Sequence, residues 1–395
     1  MKSHLNTPAL SSSNKSITAS PTGGVHIPDE GDHVLIIGRS VSMLAKAARE
    51  AGFKPLVIDA YGDVDTRLAA EAFCRLHYRG MMIDIGRLHA DLISLERLYG
   101  SAPICWGSGW EASGHLLCAL ACRYSLLGSS PLALLALARP GWYESQGEGN
   151  FAKHDFGLTP TGRQYLVKDR RRAGGHGVGF GSGERFLSAA RFRQQFIKGK
   201  SISMTCLAGP DGVAVIGWSD HVELQTSPRF LFRHSAVISR MPPPVSESLS
   251  HAIERAAKDL RLFGLFGVDF ILRNDESLTI VEINPRPTAS VPLHLEMGVA
   301  FRLHVDPSLW TKVSPVAFPR RLRGAAVVYA DIPIRLPKKL NWPTWASDVP
   351  SESRVYANGE PLCSIRAEAG SGEAVKRLLN DRLEELLAMF QTKKH

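Results

Sequence analysis

Two short alternating runs constrain this chain most: Val268-Asp269-Phe270-Ile271-Leu272 and Val281-Glu282-Ile283-Asn284-Pro285-Arg286. Apolar and polar residues alternate in both, the period-two signature of strands. Between them, Arg273-Asn274-Asp275-Glu276-Ser277 is a turn cluster. With the tight turn centred on Asp275 and Glu276, Asp269 falls directly opposite Glu282, with Cβ atoms roughly 4.5–5.5 Å apart. Glu282 and Asn284 then share one face. Two facing carboxylates repel unless a cation sits between them. An Asp, a Glu and an Asn at one spot are hard oxygen donors of the kind Mg²⁺ takes, commonly together with substrate phosphates. The hairpin therefore reads as half of a nucleotide-phosphate site, with Asp269, Glu282 and Asn284 as metal candidates. The competing reading is an edge hairpin with solvated acids, or with Arg286 as a plain ion-pair partner. Ile280, Val281 and Ile283 around Glu282 argue that this strand is buried on at least one side, where a carboxylate needs a partner.

A chain of 395 residues with 44% hydrophobic content can bury a large core and divides into two to four domains. The net charge of +9 could point to nucleic acid. The basic residues are spread out, however, apart from Lys168 to Arg172 and Arg320 to Arg323, and no zinc-finger or RNA-recognition spacing is present. Anionic small molecules are the expected partners, not nucleic acid. The six cysteines contain no C-x-x-C pair, so neither a disulfide framework nor a zinc site is expected, which fits a reducing, cytoplasmic setting. Cys118, Cys122 and Cys363 read as core thiols. The longest apolar region, Leu116 to Ala138, is broken by Arg123 and by Gly128-Ser129-Ser130-Pro131. It is therefore not a membrane span, which needs about 20 nearly unbroken apolar residues. Residues 1–30, rich in Ser, Thr and Asn, read as a disordered tail.

The first folded unit begins near Asp32. His33 to Gly38 reads as a buried strand, Val41 to Ala51 as an amphipathic helix and Pro55 to Asp59 as a second strand, a β-α-β unit of an open sheet. Asp59 lies where an NAD(P) enzyme carries its ribose acid. Yet Gly38-Arg39-Ser40-Val41-Ser42 lacks the second and third glycines of a phosphate loop. Ile104 to Glu111 reads as a later strand of the same sheet, with a Gly-rich turn that can face substrate.

In the second unit Gln164 to Lys168 reads as a strand that delivers a lysine, a point-charge partner for phosphate. Arg170 to Gly179 follows as a basic, Gly-rich loop whose amides can approach phosphate oxygens. Then Gln195-Phe196-Ile197-Lys198-Gly199 enters an alternating strand and can present backbone groups to a base.

A sheet domain, a lysine with a Gly loop, a short link with Gly, then Asp…Glu-x-Asn-x-Arg: in this order the motifs resemble the ATP-grasp superfamily, over roughly Asp32 to Met297. Val281 to Arg286 is similar to the E-[MI]-N-x-R strand of the biotin-carboxylase-related and carboxylate–amine ligase-like members. The resemblance implies an α/β and α+β architecture. Residues 31–128 would be an open parallel-sheet domain and 129–300 a two-lobe ATP-binding grasp, with its lid lobe at about 155–200. Residues 301–395 would be a small C-terminal sheet region. It implies ATP with Mg²⁺ (or Mn²⁺) held by Asp269, Glu282 and Asn284. Lys168 would contact a phosphate, and Gly174, Gly175, His176 and Gly177 would form the lid loop. Gln195, Phe196 and Ile197 would line the adenine slot, and Arg286 would steady the transferring phosphoryl group or an acyl phosphate. The implied reaction activates a small-molecule carboxylate for attack by an amine or thiol.

The chain departs from the pattern in three places. Where members carry a first phosphate lysine it reads Ala138-Arg139-Pro140, leaving Arg139 as nearest cation. Arginine has a different fork geometry. Lys198 stands where an acid usually holds the ribose, so that contact is unassigned. The Q-V-E-H that follows the arginine in bicarbonate-activating members is replaced by Pro287-Thr288-Ala289-Ser290, so bicarbonate carboxylation is disfavoured. Two other functions compete: an ATP-binding regulator without ligase activity, and an NAD(P)-dependent oxidoreductase. Substrate contacts are expected from Trp106 to Glu111, Trp142 to His154 and the C-terminal piece. The Arg320–Arg323 cluster reads as a solvated face. A homodimer is expected by family analogy.

Overall fold

The computed structural model describes residues 27–139, 141–147, 149–155, 164–172, 177–181, 187–188, 190–224, 235–313, 319–336 and 340–391. Most of the expected tail, and Gly174, Gly175 and His176, lie outside the described residues.

The first unit is a parallel sheet in the order Ala72–Arg75, Lys54–Asp59, His33–Gly38, Ile104–Trp106, Leu126–Leu127. Its central strand HVLIIG is a continuous apolar run because both faces are covered. Val34 and Ile36 pack towards the helix Ser42–Glu50, whereas Leu35 and Ile37 pack towards Leu88, Leu92 and Leu95 of the helix Ile85–Tyr99. Asp59 is fully buried, and its carboxylate accepts hydrogen bonds from the amides of Val41, Tyr61 and Gly62 at 2.7–2.8 Å. Its oxygens are taken by Val41 of the loop after the first strand and by Tyr61 and Gly62 after its own, so it is not available to a ribose.

A four-stranded antiparallel sheet follows, in the order Val178–Phe180, Tyr165–Asp169, Arg191–Gln195, His154–Asp155. The largest sheet has eight strands. It begins with the expected hairpin, Leu278–Asn284 against Gly264–Leu272, and continues through Lys200–Gly209, Gly212–Glu223 and Ser235–Arg240. One face is the main core: Ile202, Met204, Val268 and Phe270 pack on Leu249, Ala252, Ile253 and Ala256 of the helix Glu247–Asp259.

The C-terminal region makes one small separate sheet, Ile334–Arg335 with Val355–Tyr356, but its longer strands join the central sheet. Leu322–Tyr329 pairs antiparallel with Ser235–Arg240, and Pro361–Ala369 pairs with Leu322–Tyr329, so both extend the eight-stranded sheet. The helix Gly372–Gln391 covers them through Val375, Leu379, Leu383 and Leu386. The helix Met297–Val305 crosses the expected boundary at residue 300 and packs back on the first unit, with Phe301 against Phe53 at a ring-centroid distance of 5.3 Å.

Two smaller expectations change. Cys363 is buried, but Cys122 is exposed and Cys118 only half-buried, because the helix Gly114–Ala121 turns Leu117 inward instead. Arg323 is engaged rather than solvated: it pairs with Glu296 at 2.7 Å and Glu368 at 3.1 Å. No helix among the described residues is long and apolar enough to cross a membrane.

Candidate active site

The hairpin sets Asp269 directly opposite Glu282. From the turn outward Leu272 pairs with Leu278, Ile271 with Thr279 and Phe270 with Ile280. Continued without interruption, that register would face Asp269 with Val281 and turn Glu282 towards the core. A bulge shifts it by one residue between Phe270 and Asp269. Val281 is the extra residue, and past it Ile283 is buried while Glu282 is exposed on the opposite face. Nor is this a bare edge. The Ile280 amide donates to the Asn150 carbonyl at 2.7 Å, and the Ile280 carbonyl accepts from the Ala152 amide at 2.8 Å.

Around these acids lies a cleft of about 1130 Å³ between the two sheets. Asp269, Glu282, Asn284, Arg286, Lys168, Gln195, Phe196 and Ile197 all line it. Asn284 donates its side-chain amide to Asp269 Oδ2 at 3.1 Å. Arg286 approaches Asn284 Oδ1 at 3.4 Å, and lies 3.6 Å from Glu111 of the N-terminal sheet. Burial first, and the Glu282 charge second, push the Asp269 carboxyl well up, against the pull of Lys168 and Arg286. Burial and the same two acids also raise Tyr143, whose hydroxyl meets the Ile283 amide. Two carboxylates thus face one another at the cleft, with Lys168 and Arg286 near enough to act on them. Three oxygen-bearing side chains and crowded charge fit a divalent cation.

The remaining expectations fall elsewhere. Arg139 is exposed at the end of the helix Leu132–Leu137 and is not among the cleft-lining residues, whereas Arg170 and Arg172 are. Arg170 donates to the Ala138 carbonyl at 2.7 Å. Gly177, just before the strand Val178–Phe180, has φ +78°, and its carbonyl accepts from the Asp169 amide at 3.1 Å. It is also absent from the lining. Phe196 meets Phe180 edge to face at 5.1 Å, so aromatic surface from the strand Val178–Phe180 joins the linking segment.

Tyr143, inside the expected Trp142 to His154 segment, shares the cleft, and so do His221 and Glu223, which sequence reasoning missed. His221 and Glu223 lie on the strand Gly212–Glu223, beside the linking segment. His221 Nε2 lies 3.1 Å from Ser203 Oγ, and burial lowers its ring to about 4. Alternating polar residues on that strand were the available signal.

Comparison with known proteins agrees with this architecture. Residues 153–290 match the family model of the ATP-grasp domain. No curated protein matches the chain in sequence. Among solved structures, the chain is similar to the biotin carboxylase domain of Hydrogenobacter thermophilus 2-oxoglutarate carboxylase, solved with MgADP and bicarbonate. Identity is 14%, over 92% of this chain and 91% of that one, with a TM-score of 0.65. It is also similar to an L-amino acid ligase from Bacillus licheniformis, at 13% identity over 91% and 98% of the two chains with a TM-score of 0.64. N5-carboxyaminoimidazole synthetase from Staphylococcus aureus matches at 16% identity over 92% and 99%, with a TM-score of 0.58. At such identities the likeness is one of fold. The bulged acidic hairpin, the lysine-bearing antiparallel sheet facing it and the parallel-sheet unit before them make this an ATP-grasp fold, with residues 153–290 matching the ATP-grasp domain.

Proposed function

We propose that this protein is an ATP- and Mg²⁺-dependent ligase that activates a small-molecule carboxylate as an acyl phosphate for attack by an amine or another nucleophile. One observation carries the reading: Asp269 and Glu282 face each other in a cleft that also holds Lys168 and Arg286.

Asp269, Glu282 and Asn284 would hold Mg²⁺, which when bound neutralises phosphate charge and leaves the γ-phosphorus open to an anionic attacker. Lys168 would pair with the phosphates from the opposite sheet, and Arg172, which lines the cleft, is a better second cation than Arg139, which does not. The planar fork of Arg286 suits a carboxylate or acyl phosphate. Phe196, Ile197 and Phe180 supply an apolar slot for adenine, and Glu223 is the nearest acid for the ribose, which Lys198 cannot serve. Excluding water from this cleft would protect an acyl phosphate from hydrolysis.

The test is calorimetry of ATP with and without Mg²⁺, on wild type and Glu282→Ala. The wild type should bind with a Mg²⁺-dependent component that the variant lacks. A wild type that ignores ATP in the presence of Mg²⁺ removes the ligase reading before any substrate is screened.

A further inference from the structure

The first unit reaches into the cleft at one charged point. Glu111, in the turn after the strand Ile104–Trp106, lines the cleft together with Arg286, and their side chains approach to 3.6 Å. Glu111 is 20% exposed there and Arg286 14%.

The backbone that carries Glu111 is fixed by the sheet beneath it. The Gly107 amide and the Trp110 indole both donate to the Ile37 carbonyl, at 2.9 and 3.3 Å. The Arg39 amide donates to the Ser108 carbonyl at 2.7 Å, and the Trp110 side chain is fully buried. The Ser113 amide closes the turn on the Trp110 carbonyl at 2.8 Å, and Ser113 Oγ accepts from the Ile83 amide at 3.1 Å. The Glu111 carboxylate has one ion-pair partner among the described residues, Arg286.

Arg286 is held loosely in return. Its guanidinium lies 3.4 Å from Asn284 Oδ1, 3.4 Å from the Pro287 carbonyl and 3.6 Å from Glu111. A guanidinium fork that closes on a carboxylate or phosphate makes paired bonds of about 2.7–2.9 Å. None of the three contacts is that close. The fork is engaged but not filled, and a partly exposed ion pair of this kind contributes little net stability.

A substrate carboxylate, or the acyl phosphate formed from it, would come to the same fork. We propose that Glu111 is a resident carboxylate, which occupies Arg286 while that end of the cleft is empty and gives way to an anionic ligand. This is a regulation of the proposed ligase site and rests on that reading in one respect: Arg286 is the group that receives the acyl phosphate. Glu111 then sets a threshold. An anion binds Arg286 only in the fraction of molecules where Glu111 has withdrawn, so its apparent affinity falls by that fraction. A ligand that closes both arms of the fork overcomes the threshold, and one that touches a single arm does not.

The experiment is calorimetry of the full chain with phosphonoacetate, whose carboxylate and phosphonate stand in for an acyl phosphate, with and without MgADP. Glu111→Gln and Glu111→Ala should each bind it about fivefold more tightly than wild type, the gain from removing a partly exposed competitor. Arg286→Met should lose it, and thermal melts report the folding of all three variants. If both Glu111 variants stay within about twofold of wild type, or bind more weakly, Glu111 only braces the two units or contacts the ligand itself, and the inference is wrong. Absence of phosphonoacetate binding in wild type and both Glu111 variants overturns it as well. In either case MgADP binding that persists leaves the ligase reading standing. Tighter phosphonoacetate binding in the Glu111 variants, with no nucleotide bound by any form of the protein, keeps the resident carboxylate and removes the ligase reading.

Discussion

Gln194 donates its side-chain amide to the backbone carbonyl of Val281 at 2.8 Å. Gln194 belongs to the four-stranded sheet, and Val281 is the bulged residue that turns Glu282 towards the cleft. The two lobes are therefore tied together at the point where the paired carboxylates are set. Gln194→Leu should cost about 1–2 kcal/mol of stability, the usual range for a partly buried hydrogen bond. It should also weaken Mg²⁺-dependent nucleotide binding severalfold. Chemical denaturation and calorimetry would check both, and unaltered nucleotide affinity would show that the tie is structural only.

Lys168 is close enough to Asp269 to pull its carboxyl down, so removing it leaves the acids less offset and takes away one cation proposed for the phosphates. Lys168→Ala should lower affinity for ATP and ADP by about tenfold or more, while adenosine, which carries no phosphate, should bind as before. Equal losses for all three ligands would point to a collapsed cleft instead.

Asp63, Asp65 and Asp348 bring carboxylate oxygens within 4.8 Å of one another where the first unit meets the C-terminal region. Burial, then the Asp348 charge, push the Asp63 carboxyl from 3.8 up to about 7. Between those values the folded chain keeps a proton that the unfolded chain has released. Stability should therefore rise as pH falls through about 7 towards 4, as far as this group is concerned. Asp63→Asn keeps the helix cap on the Thr66 amide and removes the buried charge. The variant should be more stable than wild type at pH 8, on the order of 2 kcal/mol, and nearly equal to it at pH 4. Thermal melts across this range would show it, and a parallel offset at every pH would contradict it.

Gly217 lies under a buried histidine: a Cβ there would meet His294 Nδ1 at 2.3 Å. His294 Nε2 is 2.9 Å from Ser219 Oγ in the interior, so the ring cannot retreat without losing that bond. Gly217→Ala should cost about 1–3 kcal/mol by overpacking. A melting temperature equal to wild type would mean that the segment carrying His294 yields freely.

The pairing of Asp269 with Glu282 was legible from alternation and turn chemistry, but the expected route to it was not the observed one. A turn centred on Asp275 and Glu276 gives that pair directly. The chain instead begins its ladder at Leu272 and Leu278, with Glu276 in the left-handed region at φ 62°, and recovers the pair through the bulge at Val281. Nothing in the local pattern marks Val281 as the extra residue. Its position follows from Gln194 on one side and the Asn150–Ala152 segment on the other, both distant in sequence.

Lys168, Phe196 and Ile197 could be placed in one cleft from motif order, whereas Arg139 could not be kept there. The helix Leu132–Leu137 presents Leu134, Leu137 and Ala138 to the cleft and leaves the next residue in solvent. A sheet region was expected at the C-terminus, but the joining of its strands to the central sheet depends on register with Ser235–Arg240, which alternation alone does not specify.

By itself, then, the sequence determined the elements whose signals are local: the apolar strands of the first unit, the acidic hairpin, the lysine strand and the aromatic link. Periodicity and turn chemistry act over a few residues and survive in any context. Tertiary structure decided what depends on distant surfaces meeting: which residue bulges, which cation faces the cleft, and that Glu111 of the first unit comes to lie against Arg286. Those contacts are set by how whole sheets pack, and packing is a property of the assembled fold rather than of any one segment.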